Sequence, residues 1–338
     1  MKFTTPLVAA ATIMALFGAT SASAEWKPDR PINIIVPWSA GGSTDQVTRV
    51  VAPLLEKALG TQIVVVNQPG ASGSIGTKAA LDAPRDGYTW TANAIANNAT
   101  YSITGLIKDT SIDDYKIYLH VANVPVVSVN AGSKYKDFSE LLEDFKTGDV
   151  TVGTAGVNSS GGMALAAIKE AAGGGDFKAR MIAYDGGNPA VIAAASGEVV
   201  ATTQLAVEQT EMIKAGRLRA LAVLSDTDLV VAGMDPVPPI TKYLPDMPIA
   251  ADYFGVFIPV GAPAEVYETV DKIWKEQIMK SKELQDYASA RGAVFAPSYG
   301  DAAYKKAMPV VISEACARVV RKEAVVDPST IGITCPAH

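Results

Sequence analysis

Histidine is nearly missing from this chain: His120 and the terminal His338 are the only two in 338 residues. A histidine-based metal site or a Ser-His-Asp triad would have to be assembled around His120 alone, which reads as an ordinary half-buried residue at a strand start. The GxSxG elbow, the HExxH zinc motif and the CxxC pair are all absent. Basic charge is also short, with 29 Lys and Arg against 35 Asp and Glu, a formal net charge of −6. That balance argues against a nucleic-acid or polybasic membrane surface. Only two cysteines occur, Cys316 and Cys335. Long apolar runs are confined to residues 6–17; every later one is broken by charge, Gly or Pro.

That early run has its own explanation. Lys2 supplies a positive start, and "SASA" ends in the Ala22-Ser23-Ala24 pattern that signal peptidase reads. Residues 1–24 are expected to be a signal peptide, cleaved to leave Glu25 first and no cysteine for a lipid anchor. The expected product is exported, soluble and periplasmic. It would have 338 − 24 = 314 residues and, without Lys2, a charge of 28 − 35 = −7. This length suggests two lobes. In an oxidising compartment the two cysteines are expected to form a disulfide tying the tail to the last helix; two buried free thiols are the alternative.

Strand and helix signals alternate along the rest, as in an α/β fold with largely parallel sheets. "INIIVP" reads as a strand and "STDQVTRVVAPLLEKALG" as the helix after it, stopped by Gly60. Some 115 residues on, "VTVGTAGVNSSGGMALAAIKEAAGGG" repeats the order of strand, small polar loop, helix and glycine stop. Ligands of open α/β sheets bind beyond the carboxyl ends of strands, where helix N-termini offer unpaired N–H groups. Neither loop contains Lys or Arg. Two uncharged anion holders facing one cleft suit a small molecule with an acidic group at each end. Gly and Ser after a strand are also ordinary turn and capping residues. "GASGSIG" spaces its glycines GxxGxxG instead of GxGxxG, so it is discounted as a dinucleotide site. Pro309 should interrupt or kink the last helical stretch.

"RPINIIVPWSAGGSTDQVTRVVAPLLEKALGTQIVVVNQPGASGSIGTKAALDAPRDGYTW", followed in order by "GTAGVNSSGG", "IAYDGGNPAVIAAASGE", "IKAGRLRALAV" and "FGVFIPVGAPAE", resembles the Bug-type periplasmic solute-binding proteins of tripartite tricarboxylate transporters. The likeness covers nearly all of the chain after residue 24. It implies a type II periplasmic-binding-protein fold: two doubly wound lobes, a hinge, and a ligand cleft between them. Lobe 1 would hold residues 25–124 and 255–338, and lobe 2 residues 125–254, with crossings near Val124–Pro125 and Phe254–Gly255.

The implied function is capture of a small carboxylate and its delivery to a two-component membrane permease. The protein would be a monomer with no cofactor, no metal and no enzymatic activity. Carried over by position, the ligand-binding residues are Trp38, Ser39, Ala40, Gly41, Gly42, Ser43, Thr44 and Asp45 from the first loop. Ala155, Gly156, Asn158, Ser159 and Ser160 come from the second, and Tyr184, Asp185 and Gln204 complete the set. The family often has His where this chain has Gly162, and Lys where it has Asp185. A C4–C6 dicarboxylate or hydroxy-dicarboxylate is expected. The alternatives are an exported α/β hydrolase, or a receptor for an aromatic or tricarboxylic acid feeding a sensor kinase. Asp45 has two readings: a helix-start residue paired with Arg49 four positions on, or an acceptor for a ligand hydroxyl, amine or bridging water.

Overall fold

A computed structural model describes residues 26–336 except 176 and 250. The expected signal peptide lies outside the described residues.

The first sheet has the order β11-β4-β10-β3-β1-β2. Near one edge β1 (Ile32–Val36) lies between β2 (Ile63–Asn67), the edge strand, and β3 (Thr89–Ala94), both parallel to it. Ile32, Ile34 and Val36, alternate residues on one face of the strand, are wholly buried. α1 (Ser43–Leu59) covers one face through Val47, Val51, Leu55 and Leu59, spaced four apart on one helical stripe. Gly60 ends it in the left-handed conformation and returns its N–H to the Glu56 carbonyl at 2.9 Å. α2 (Ser74–Asp82) and α3 (Ile95–Thr100) follow.

β4 (Tyr115–Asn123) carries the chain out of this sheet, and β5 (Val126–Asn130) opens the second, whose order is β7-β6-β8-β5-β9. The passage therefore occupies Val124 and Pro125. The chain re-enters the first sheet with β10 (Asp252–Pro259), so Phe254–Gly255 lies inside that strand, two residues beyond its start. The second sheet adds α4 (Phe138–Thr147), β6 (Thr151–Thr154), α5 (Ser160–Ala171), β7 (Arg180–Ala183), α6 (Gly187–Ser196), β8 (Ala201–Thr202), α7 (Ala206–Lys214) and β9 (Leu218–Val223). Its core packs Phe138, Leu141 and Phe145 of α4 against Leu165 and Ile168 of α5. Trp90, Phe254 and Trp274 anchor the first lobe's core.

Among the described strands, parallel ladders are those of β1 with β2 and β3 and of β6 with β7 and β8. β4 and β10 pair antiparallel with each other, and β5 runs antiparallel to β8 and β9. Strands that leave one sheet for the other and return must run in opposite senses, so the sheets are mixed where the lobes join. His120 sits in mid-strand on β4, 1 % exposed, and burial pushes its pKa down to about 3. It is a neutral core residue, more enclosed than its position at a strand start suggested.

α8 (Ala264–Glu276), α9 (Lys282–Arg291), β11 (Val294–Tyr299) and α10 (Gly300–Val320) complete the first lobe. α10 continues through Pro309 without a break. Ala303 and Ala307 before the proline and Val310, Val311 and Ala315 after it fasten the helix to the core, which outweighs one missing backbone donor. Cys316 on α10 is bonded to Cys335, 19 residues later. Closing a loop of that length is worth about 3 kcal/mol. Reduction should lower the unfolding free energy by that amount and the denaturation midpoint with it; equal midpoints with and without reductant would show that the bridge adds nothing.

Candidate functional site

The two lobes meet over a small cavity of about 20 Å³, room for roughly one water. Three helices begin at its wall: α1 at Ser43, α5 at Ser160 and α6 at Gly187. The first-turn N–H groups of a helix lack intrahelical partners and carry the positive end of its dipole. Trp38, Thr44, Asn97, Ala155, Ser159, Gln204, Leu205, Glu208 and Phe254 complete the lining. Lys and Arg are absent from it.

Seven of the sequence-derived candidates line the cavity: Trp38, Ser43, Thr44, Ala155, Ser159, Ser160 and Gln204. Trp38 is 6 % exposed, and its indole N–H donates to Asn93 Oδ1 at 3.1 Å, which fixes the ring against the cleft. The Ser159 hydroxyl caps α5 by accepting the Gly162 N–H at 3.0 Å. With its amide oriented to satisfy both ends, Gln204 accepts the Ala155 N–H at 2.7 Å and donates to Glu208 Oε2 at 3.0 Å.

The other candidates stand behind the wall or at its rim. Ser39 donates its N–H to the Asp185 carbonyl at 3.1 Å, a lobe-to-lobe contact, while the Asp185 side chain is exposed. The Tyr184 hydroxyl donates to Glu198 Oε1 at 2.8 Å, away from the cavity. Asn158 spans the lobes, donating to Thr104 Oγ1 at 2.7 Å and accepting from Asn97 at its carbonyl. The carbonyl of Val157 accepts from Arg318 at 2.8 Å. Gly156 lies against Ser72 of the first lobe, and Gly42 beside Glu208 and the Ser39 carbonyl. Ala40 is exposed. Gly41, at φ +81°, turns the chain in a conformation that L side chains rarely adopt, with Asn188 of α6 packed on it.

Asp45 is 3 % exposed and fully engaged by protein. One carboxylate oxygen accepts the Gly41 N–H at 2.9 Å; the other takes Arg49 Nε at 2.9 Å and Asn67 Nδ2 at 2.9 Å. These donors hold its pKa below the usual carboxylate value despite its burial. The negative charge at the end of the loop thus braces the turn that brings Ser43 and Thr44 to the cavity.

Gly162 is also dictated by geometry. A Cβ there would strike the Gly156 carbonyl, so no side chain fits this loop. Gly162→Ala should cost about 1–3 kcal/mol by forcing the loop from the α5 cap. A denaturation midpoint equal to wild type would count against this packing.

Sequence reading missed Asn97, Gly187, Leu205, Phe254 and, above all, Glu208. Glu208 reaches back to its helix start, accepting the Leu205 N–H at 3.2 Å, and across the lobes, accepting the Ser43 N–H at 2.8 Å. Burial pushes its pKa up to about 7. Asp252, at the return between lobes, accepts the Ser160 hydroxyl at 2.6 Å and the Ala96 N–H at 3.2 Å, and burial raises its pKa to about 7 as well.

Two α/β lobes, two crossing segments and a cleft ringed by helix N-termini define a two-lobed solute-binding protein of the periplasmic-binding type. The family model for the tripartite tricarboxylate transporter family receptors matches residues 47–291, and the chain belongs to that family. It is 31 % identical to the protein BugT of Bordetella pertussis over 280 residues, covering 81 % of this chain and 84 % of that protein. The solved structure of the periplasmic binding protein BugD is 24 % identical with a TM-score of 0.77, covering 88 % of this chain and 98 % of the other. An R. palustris protein solved with adipate is 21 % identical, also at a TM-score of 0.77, covering 88 % and 99 %. The family consists of solute-binding receptors, so the hydrolase alternative is set aside.

Proposed function

We propose that this protein is an exported periplasmic receptor that captures a small carboxylate between its lobes and delivers it to a membrane permease. The observation that carries the reading is the α5 N-terminus. Ser159 and Ser160 line the cavity there, at the start of α5, where first-turn N–H groups lack intrahelical partners. Such a seat holds a carboxylate by charge-assisted hydrogen bonds without a cationic side chain. The similar R. palustris protein solved with adipate supports a carboxylate as the ligand class. C4–C6 acids are the first candidates, and the symmetrical diacids expected from two anion-holding loops belong among them.

A thermal-shift screen of mono-, di- and tricarboxylates tests this. A ligand at 100 times its Kd stabilises the fold by about 2.7 kcal/mol. At least one small acid should raise the melting temperature with one-to-one stoichiometry and be recovered unchanged. Turnover of the bound acid, or no shift with any acid, would contradict the reading.

A further inference from the structure

The two ends of the cleft are not alike. At the α5 end the wall is a helix N-terminus lined by Ser159 and Ser160. At the α1 end the equivalent place is already taken: Glu208 lays a carboxylate oxygen on the Ser43 N–H at 2.8 Å, the donor a ligand anion would otherwise use. The same oxygen lies where a Cβ on Gly187 would stand, so the carboxylate also faces the start of α6. Among the described residues its hydrogen-bond partners are two backbone N–H groups and the Gln204 amide, all uncharged. The nearby Arg291 is turned to Gln46 and Glu211, at 3.4 and 3.8 Å. A buried carboxylate lacking a cationic partner is costly, and a second carboxylate brought beside it costs more.

We propose that Glu208 sets the specificity of the cleft, selecting a ligand that carries a carboxylate at one end and a protonated amine at the other. The inference rests on the carboxylate reading of the α5 end and adds the opposite pole. An ammonium entering beside Glu208 supplies the cation that the cavity lining lacks, and its N–H groups replace those a water would offer. A diacid in the same pose sets two carboxylates together, and a simple monoacid leaves Glu208 without a cation.

Calorimetry with matched probes tests it: γ-aminobutyrate against glutarate, and 5-aminovalerate against adipate, each on the wild type and on Glu208→Gln. The glutamine amide oxygen still accepts the Ser43 N–H, so the variant keeps the bridge between lobes while losing the charge. In the wild type at least one ω-amino acid should bind about 10- to 100-fold tighter than its matched diacid. In Glu208→Gln that preference should vanish or reverse. Equal or tighter binding of the diacids by the wild type overturns the proposal, as does a preference that survives in the variant. If none of the four probes binds while another acid of the carboxylate screen does, the Glu208 inference falls and the carboxylate reading stands. If propylamine binds in a Glu208-dependent way and no acid binds, the carboxylate reading fails and the ammonium pole remains.

Discussion

With its lobes closed, the protein should melt several degrees higher near pH 5 than near pH 8. Glu208 and Asp252 both have pKa values raised by burial, from 4.5 and 3.8 to about 7. A carboxyl whose folded pKa exceeds its unfolded one contributes its full stability while both states are protonated. That contribution is lost as pH rises from the unfolded value through the folded one, here from about 4 to beyond 7. At about 1.4 kcal/mol per pKa unit, each group accounts for at most roughly 3–5 kcal/mol. The Tyr287 hydroxyl feels the charges of Glu208, Asp45 and Arg291, and Glu314 adds like charge beside Asp252. Asp45 acts with the opposite sign: its lowered pKa stabilises above the usual carboxylate range and is lost only as the solution becomes strongly acidic. Melting curves of the wild type and the Glu208→Gln/Asp252→Asn double variant decide the matter. The wild type should fall across this window and the double variant should be nearly flat. A flat wild-type profile would mean that neither carboxyl is buried as described.

Asp45→Ala should cost about 2–4 kcal/mol, more than an exposed ion pair could explain. Removing this acceptor strands the Gly41 N–H and Arg49 Nε and takes one of two acceptors from Asn67 Nδ2, each 2.9 Å from it. Hydrogen bonds to a charged group contribute roughly 1.5–3 kcal/mol each, and Arg49, 51 % exposed, recovers part of its loss from water. The Gly41 turn would then hold Ser43 less well, and ligand affinity should fall alongside stability. Asp45→Asn keeps one acceptor and should cost about half as much. Because the carboxylate is committed to the loop, the malate-to-succinate affinity ratio should be the same in Asp45→Asn as in wild type. A changed ratio would restore Asp45 as a residue that reads a ligand hydroxyl.

The sequence made the lobes legible because their determinants are local. Ile32, Ile34 and Val36 alternate into a buried strand, Val47, Val51, Leu55 and Leu59 fall four apart, and Gly60 stops the helix. The repeat of strand, small loop and helix located both Ser43 and Ser160 on the cavity wall. What escaped was created by distance. Glu208 is 165 residues from Ser43, and its role exists only where the two lobes touch. A glutamate three residues after Leu205, at the start of a helix, reads as a reach-back cap, which it also is. Pro309 predicted a break that packing on both sides overrides. The antiparallel strands at the join follow from the chain changing sheets, which apolar runs alone do not reveal. Asp45 showed both readings in sequence, and only the positions of Gly41 and Asn67 separate them.

Closure of two lobes on a ligand, without chemistry, is the central claim. The contacts that would form on closure are numerous: Ser39 with Asp185, Asn158 with Thr104, Val157 with Arg318 and Glu208 with Ser43. They join opposite lobes and depend on the lobes meeting. Small-angle scattering, with and without a saturating concentration of the tightest-binding acid from the screen, measures this directly. The radius of gyration should fall on binding while the mass stays constant. A scattering profile unchanged at saturation would contradict a receptor that works by closing.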